Sequence, residues 1–139
     1  MHHWHNPNHP ELTVLLREAK TIAIVGCSPK PDRPSHQIAA FLQSRGYDVI
    51  PVHPQAKTIL GQNVYPSLAE IPVTVDIVNV FLRAASTPAV AEEAVRTGAG
   101  ALWLQQDIIS DEAYRIATGA GLTCIMDLCI AVMHRLLLR

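Results

Sequence analysis

Charge is scarce in this chain and nearly balanced. Lys and Arg number 11 against 12 Asp and Glu, the charged share of the 139 residues is 17 %, and the formal net charge is -1. Without a basic face, nonspecific nucleic-acid binding is excluded as a function. Aromatic residues are rarer still at 5 %, while hydrophobic residues reach 49 %. The core must therefore be built from Ala, Val, Ile and Leu, as in a parallel sheet covered on both faces by helices. Three cysteines, Cys27, Cys124 and Cys129, form neither a CxxC pair nor a disulfide framework, and they suit the reducing cytoplasm. No apolar run approaches the roughly 20 residues that span a bilayer. Met1 to Pro7 lacks the basic-then-apolar order of a secretory signal. Also missing are G-x-G-x-x-G, G-x-S-x-G, paired carboxylates and a Ser/His/Asp order.

What remains is an alternation of strands and helices within one domain. Met1 to His9 is polar and is expected to be loosely ordered. Its His2, His3, His5 and His9 include one pair four apart, His5 and His9, but in a stretch with Pro7 between them and no acidic companion, so no metal is expected there. Glu11 to Ala19 reads as a short helix with Leu12, Leu15 and Leu16 on one face. Strands are predicted at Thr21–Val25, Tyr47–Val52, Val75–Phe81, Ala101–Leu104 and Leu122–Met126, with a minor edge element around 58–65. Helices are predicted from Pro34 to Arg45, stopped by Gly46, and from Thr87-Pro88 to about Thr97, with Thr87 as N-cap. A further helix spans Asp111–Thr118 behind Ser110, and a last one follows Asp127, read as its cap. Residues 1–20 form an N-terminal segment with its short helix, and 21–139 an α/β, Rossmann-like, doubly wound and mostly parallel domain.

The segment that carries chemistry is Thr21 to Ser35, an apolar strand followed by Gly26-Cys27-Ser28-Pro29-Lys30-Pro31-Asp32-Arg33-Pro34-Ser35. Unbonded amides and the positive dipole end make a helix start an anion site. Arg33 adds a fork-shaped cation there. A phosphorylated ligand is implied. At the end of the second strand, Pro51-Val52-His53-Pro54-Gln55-Ala56-Lys57 offers no carboxylate for the ribose of NAD, whereas Lys57 is within loop reach of a phosphate. Val52 and Pro54 suit the face of an adenine. An adenine nucleotide with an extra ribose phosphate is favoured, and NADP stays open.

These residues resemble the YccU-like small single-domain CoA-binding proteins, whose fold is similar to the CoA-binding domain of the succinyl-CoA synthetase alpha subunit. The resemblance rests on Ile24-Val25-Gly26-Cys27-Ser28 with Lys30-Pro31-Asp32-Arg33-Pro34-Ser35. It continues through Gly46-Tyr47, Val49 to Val52, Lys57 to Gly61, Val75 to Val78, Val80-Phe81, Leu102 to Gln105, Ala120 to Leu122, Met126-Asp127 and Cys129. It implies coenzyme A as ligand. The phosphates would lie on Gly26, Cys27, Ser28, Pro29, Lys30, Arg33, Pro34 and Ser35, and the adenosine on Val52, His53, Pro54 and Lys57. Phe81 and Leu82, at the end of the Val75–Phe81 strand, join the cofactor-binding set. Gln55, Leu82, Leu128 and Met133 stand where the family usually has Lys, Arg, Arg and Glu.

The expected function is binding of CoA or acyl-CoA without catalysis, as a sensor, carrier or regulatory module. Synthetase chemistry needs a phosphorylated histidine and a partner subunit that this chain is too short to supply. An NADP-linked or other nucleotide-dependent enzyme is the alternative, and a degenerate, non-binding interaction module a third reading. Cys129, in the opening turn of a helix, is weighed as a reactive thiol against a small buried hydrophobe. Cys124, Trp103 and Met126 read as core, and His36 and His134 as surface or packing histidines.

Overall fold

The computed structural model describes residues 4–139. In chain order the elements are α1 (His9–Glu18), β1 (Thr21–Val25), α2 (Pro34–Ser44), β2 (Asp48–Val52), β3 (Thr58–Ile59), β4 (Gln62–Asn63), β5 (Ile77–Val80), α3 (Thr87–Arg96), β6 (Ala101–Leu104), α4 (Asp111–Gly119), β7 (Thr123–Ile125) and α5 (Ile130–Leu137). The main sheet has the order β2-β1-β5-β6-β7, and every pair in it is parallel. This is the doubly wound α/β arrangement that strand–helix alternation predicts.

Strand alternation sorts the core into two layers. Ile22, Ile24, Ile77, Ala101 and Trp103 pack with Leu12 and Leu16 of α1, Ala39 and Leu42 of α2, and Ile130 and Met133 of α5. Ala23, Val25, Val78, Val80, Leu102 and Leu104 pack with Ala91 and Ala94 of α3 and Ala113 and Ala117 of α4. Small residues on α3 and α4 let both helices lie close to the strands. Trp103 is wholly buried, and its indole N–H donates to the Leu128 carbonyl at 2.8 Å.

β3 and β4 form a separate antiparallel hairpin, which joins the main sheet through a bridge from Tyr65 to Val52. Tyr65 N–H donates to the Pro51 carbonyl, so the residue-51 edge faces away from β1. A proline is tolerated there because it withholds no ladder donor from the sheet.

The sheet order puts the topological switch point between β1 and β5. After β1 the chain crosses through α2 to β2; after β5 it crosses through α3 to β6 on the other side. The loops leaving these neighbouring strands diverge, and a crevice opens between them.

Local structure departs from expectation in four places. The N-terminal segment is tied down from Trp4 onward, rather than loosely ordered. Trp4 packs against the α3–α4 layer, and the Asn6 amide makes a two-way 2.8 Å pair with the backbone of Met126. Asn8 then caps α1 in a reciprocal box with Glu11, which starts the helix at His9. Thr87 lies inside α3, with its hydroxyl donating back to the Ala84 carbonyl at 2.7 Å instead of capping. Tyr47 precedes β2, and its hydroxyl donates to the Leu16 carbonyl. Asp127 does not cap α5. It adopts φ +59°, and its Oδ1 accepts the Asp107 N–H at 2.7 Å, three residues before the helix opens.

Candidate functional site

Gly26 sits where β1 ends, with φ +84°. A Cβ there would lie 2.8 Å from the Phe81 carbonyl oxygen and 2.9 Å from Leu82 Cδ2. Two constraints, left-handed backbone and contact with the end of β5, select glycine. The Gly26 and Cys27 N–H groups both donate to the Val52 carbonyl, at 3.1 and 3.3 Å, which ties the loop to β2 as well. The floor of the crevice is thus sewn to three strand ends.

The loop wall holds its shape through short-range bonds. Ser35 Oγ accepts the Ser28 N–H at 2.9 Å, Ser28 Oγ accepts the Lys30 N–H at 3.1 Å, and the Lys30 carbonyl accepts the Arg33 N–H at 3.1 Å. His36 Nδ1 lies 2.9 Å from the Ser28 carbonyl and donates to it, so this ring braces the loop instead of standing as a solvated surface histidine. Pro34 opens α2 behind Arg33, whose side chain makes no cap bond. A helix leaves its first-turn N–H groups without intrahelical acceptors, and Pro34 has none to offer, so Ser35 and His36 supply the amide donors at this end.

A cavity of about 540 Å³ lies over this end of α2. Gly26, Ser28, Pro29, Lys30, Arg33, Pro34, Ser35, His53 and Phe81 line it, together with Gln55. Nine of the fourteen residues expected at the site therefore converge. His53 is held by its own turn: Nδ1 accepts the Gln55 N–H at 3.1 Å and the Ala56 N–H at 3.0 Å. With Nδ1 occupied as an acceptor, the ring proton is on Nε2, so His53 offers a fixed donor.

Five expected residues stand elsewhere. Cys27 and Val52 point into the core at 0 % and 6 % exposure. Burial raises the Cys27 thiol pKa to about 11, which leaves it inert at neutral pH. Pro54 and Lys57 are exposed outside the cavity lining, and Gln55 occupies the lining position of that turn instead. Leu82 lines a second cavity of about 630 Å³, which shares Pro34 and Phe81 with the first and is walled also by Ile38, Ile108 and Cys129. The two adjoin at Pro34 and Phe81, the first cationic and amide-rich and the second more apolar.

Sequence reading missed the side chain that organises the far end. Gln105, 5 % exposed, lines the second cavity, while its Oε1 accepts from Asn79 Nδ2 and from the Ile130 N–H, both at 3.0 Å. Gln105 thereby caps α5 from another loop, and Nε2 is the donor its side chain has left. Cys129 is the N-cap residue of α5 and is partly exposed. Cys124 is core, with its thiol pKa pushed by burial to about 12. Of the N-terminal histidines, His2 and His3 lie outside the described residues. Among the described residues no group of three His, Cys, Asp or Glu could hold a metal, and no helix is long and apolar enough to cross a membrane.

Comparison with known proteins decides the family, because residues 20–135 match the profile of the CoA binding domain. The chain belongs to this CoA-binding family. The protein YneT of Bacillus subtilis is similar to it at 45 % identity over 129 residues, covering 93 % of this chain and 96 % of that one. A structure described as a hypothetical protein from Pyrococcus horikoshii OT3 superimposes with a TM-score of 0.93 at 32 % identity, over 100 % of both chains. Acetate–CoA ligase [ADP-forming] II of Archaeoglobus fulgidus is 32 % identical over 81 residues, which are 57 % of this chain and only 12 % of the ligase. This chain thus aligns with nearly the whole of the first two proteins and with one part of the third.

Proposed function

We propose that this chain binds coenzyme A in the groove at the β1–β5 switch point and acts as a sensor, carrier or regulatory module without catalysis of its own. One observation carries the reading: a cationic, amide-rich cavity and a more apolar one adjoin, with Pro34 and Phe81 in the walls of both. CoA has the same two-part chemistry, with a polyanionic adenine nucleotide joined to a long, amphipathic arm. Arg33, Lys30 and the α2 amides would hold the pyrophosphate. His53 Nε2 and Gln55 would meet the nucleotide, and Phe81, Leu82 and Ile38 the arm. The non-catalytic part is supported by His53. Its Nδ1 is held by two backbone amides rather than by a carboxylate, an arrangement that orients a donor and does not build a base.

The test is a thermal-unfolding panel with CoA, NAD and NADP, together with mass spectrometry of co-purifying ligand. A ligand at a hundredfold excess over its Kd adds about 2.7 kcal/mol to stability, several degrees for a domain of this size. CoA is expected to give that shift and NAD none. Equal shifts from all three, or turnover of NADPH, would defeat the reading.

A further inference from the structure

The groove does not end at the second cavity. A third, of about 370 Å³, shares Gln106, Asp107 and Cys129 with it and runs on along α5 past Leu128, Val132 and Met133. The CoA reading assigns no group to this space, since the residues it gives to the nucleotide and the arm line the first two cavities.

Its chemistry is specific. Val132 presents a β-branched side chain to solvent at 52 % exposure, beside the buried Met133 and the partly buried Leu128. The charged groups of the lining are both carboxylates, Asp107 and Asp127. Their positions are held: both residues adopt left-handed backbone, with φ +70° and +59°, and Asp127 Oδ1 accepts the Asp107 N–H at 2.7 Å. This bond joins the loop after β6 to the loop after β7 and makes a fixed acidic rim. Next to it in sequence, Gln105 lines the second cavity with its Oε1 already engaged, so Nε2 is the donor this side chain has left, beside the Gln106 and Asp107 that both cavities share.

We propose that the third cavity receives the acyl group of a CoA thioester, and that it selects neutral apolar chains against acyl groups ending in a carboxylate. The proposal rests on the CoA reading. An apolar chain covers Val132 and Leu128 and loses water-exposed surface in doing so. A terminal carboxylate brought to the same place meets two like charges. Gln105 Nε2 donates to the thioester carbonyl or to the last amide of the arm.

The experiment is calorimetric titration of the full chain with CoA and with acetyl-, butyryl-, hexanoyl- and succinyl-CoA at fixed salt. A fully buried methylene strengthens binding about fourfold, so a chain lying in an open groove should gain about twofold per methylene. Hexanoyl-CoA is then expected to bind on the order of tenfold tighter than acetyl-CoA. Succinyl-CoA should bind at least about tenfold more weakly than butyryl-CoA, which has the same number of acyl carbons. Val132→Asp, at an exposed position that tolerates a polar group, should erase the hexanoyl gain and leave the Kd for CoA unchanged. Asp107→Asn keeps a residue type that accepts left-handed backbone, and should narrow the succinyl–butyryl gap at least about threefold. If CoA binds and the chain-length series is flat, or succinyl-CoA matches butyryl-CoA, the acyl proposal is overturned while the CoA reading stands. If CoA itself does not bind, the CoA reading falls first and takes this proposal with it.

Discussion

Replacing Gly26 with alanine separates two costs that usually come together. The residue has φ +84°, and a Cβ would press to 2.8 Å from the Phe81 carbonyl oxygen, a backbone atom that cannot rotate aside. Gly98 supplies the control. It has φ +77° at the end of α3, with nothing within 4 Å of an added Cβ. Left-handed backbone costs a non-glycine residue about 1–2 kcal/mol, and Gly98→Ala should show that alone. Forced overpacking adds about 1–3 kcal/mol, which puts Gly26→Ala at about 2–5 kcal/mol. At roughly 3–5 °C per kcal/mol for a chain of this length, thermal unfolding should fall by several degrees for Gly98→Ala and by on the order of 10 °C or more for Gly26→Ala. Ligand binding distinguishes the two further. The Gly26 N–H is bonded to Val52, and moving it displaces the whole cradle. CoA affinity should fall at least about tenfold for Gly26→Ala and stay unchanged for Gly98→Ala. Equal destabilisation by the two variants, or wild-type affinity in Gly26→Ala, would refute the claim that close approach to β5 shapes the site.

Other outcomes follow from the same geometry. Arg33 is exposed at the N-cap of α2, so Arg33→Ala should leave unfolding unchanged while weakening CoA at least about tenfold by titration, the loss of a charge-assisted contact of about 1.5–3 kcal/mol. Gln55 lines the cavity and Lys57 does not. Gln55→Lys should therefore raise the preference for CoA over dephospho-CoA several-fold, whereas Lys57→Ala should change that ratio less than about twofold. His134 is 5 % exposed, has no partner on Nδ1, and lies edge-on to Phe41 and Tyr47. Burial first, then Arg45 and Arg135, hold its pKa below 6.5. The unfolded chain then binds the extra proton, so stability is full above pH 6.5 and falls as pH drops below it. Denaturant unfolding of His134→Phe should be flatter than wild type from pH 7 to 5, and an unchanged slope would dismiss this histidine as the source.

The layered core was readable because it is a matter of period. Alternating residues in Thr21–Val25 and Ala101–Leu104 announce strands buried on both faces, and the small residues of α3 and α4 announce close-packed helices. The phosphate cradle was readable for a related reason. Most of its lining lies within ten residues of chain, from Gly26 to Ser35, so local order in sequence is local order in space. The turn after β2 was harder. Composition marked Val52 and Lys57, yet strand parity turns Val52 inward, and the short bonds to His53 Nδ1 fold the turn so that Gln55 comes to the lining.

The far end of the groove resisted sequence reading because its parts come from four separated segments. Asp127 before an apolar helix is a sound capping signal by itself. The structure gives that task to Gln105, 25 residues before the Ile130 amide it accepts, and turns Asp127 to the Asp107 amide. Neither exchange has a local signature, since each bond joins loops that adjoin only because β6 and β7 are neighbours in the sheet. Asn79 shows the same dependence. A polar residue in the middle of Ile77–Val80 looks like an interruption of the strand, but its Nδ2 anchors Gln105 Oε1 and so helps hold the start of α5. That buried amide is an expensive way to fasten a helix, because any partner lost leaves a desolvated polar atom. Its bond to Gln105, a residue of the second cavity's lining, makes sense where a groove wall must be held in one position. The site's local half is thus written in one loop, and its remote half in the order of the strands.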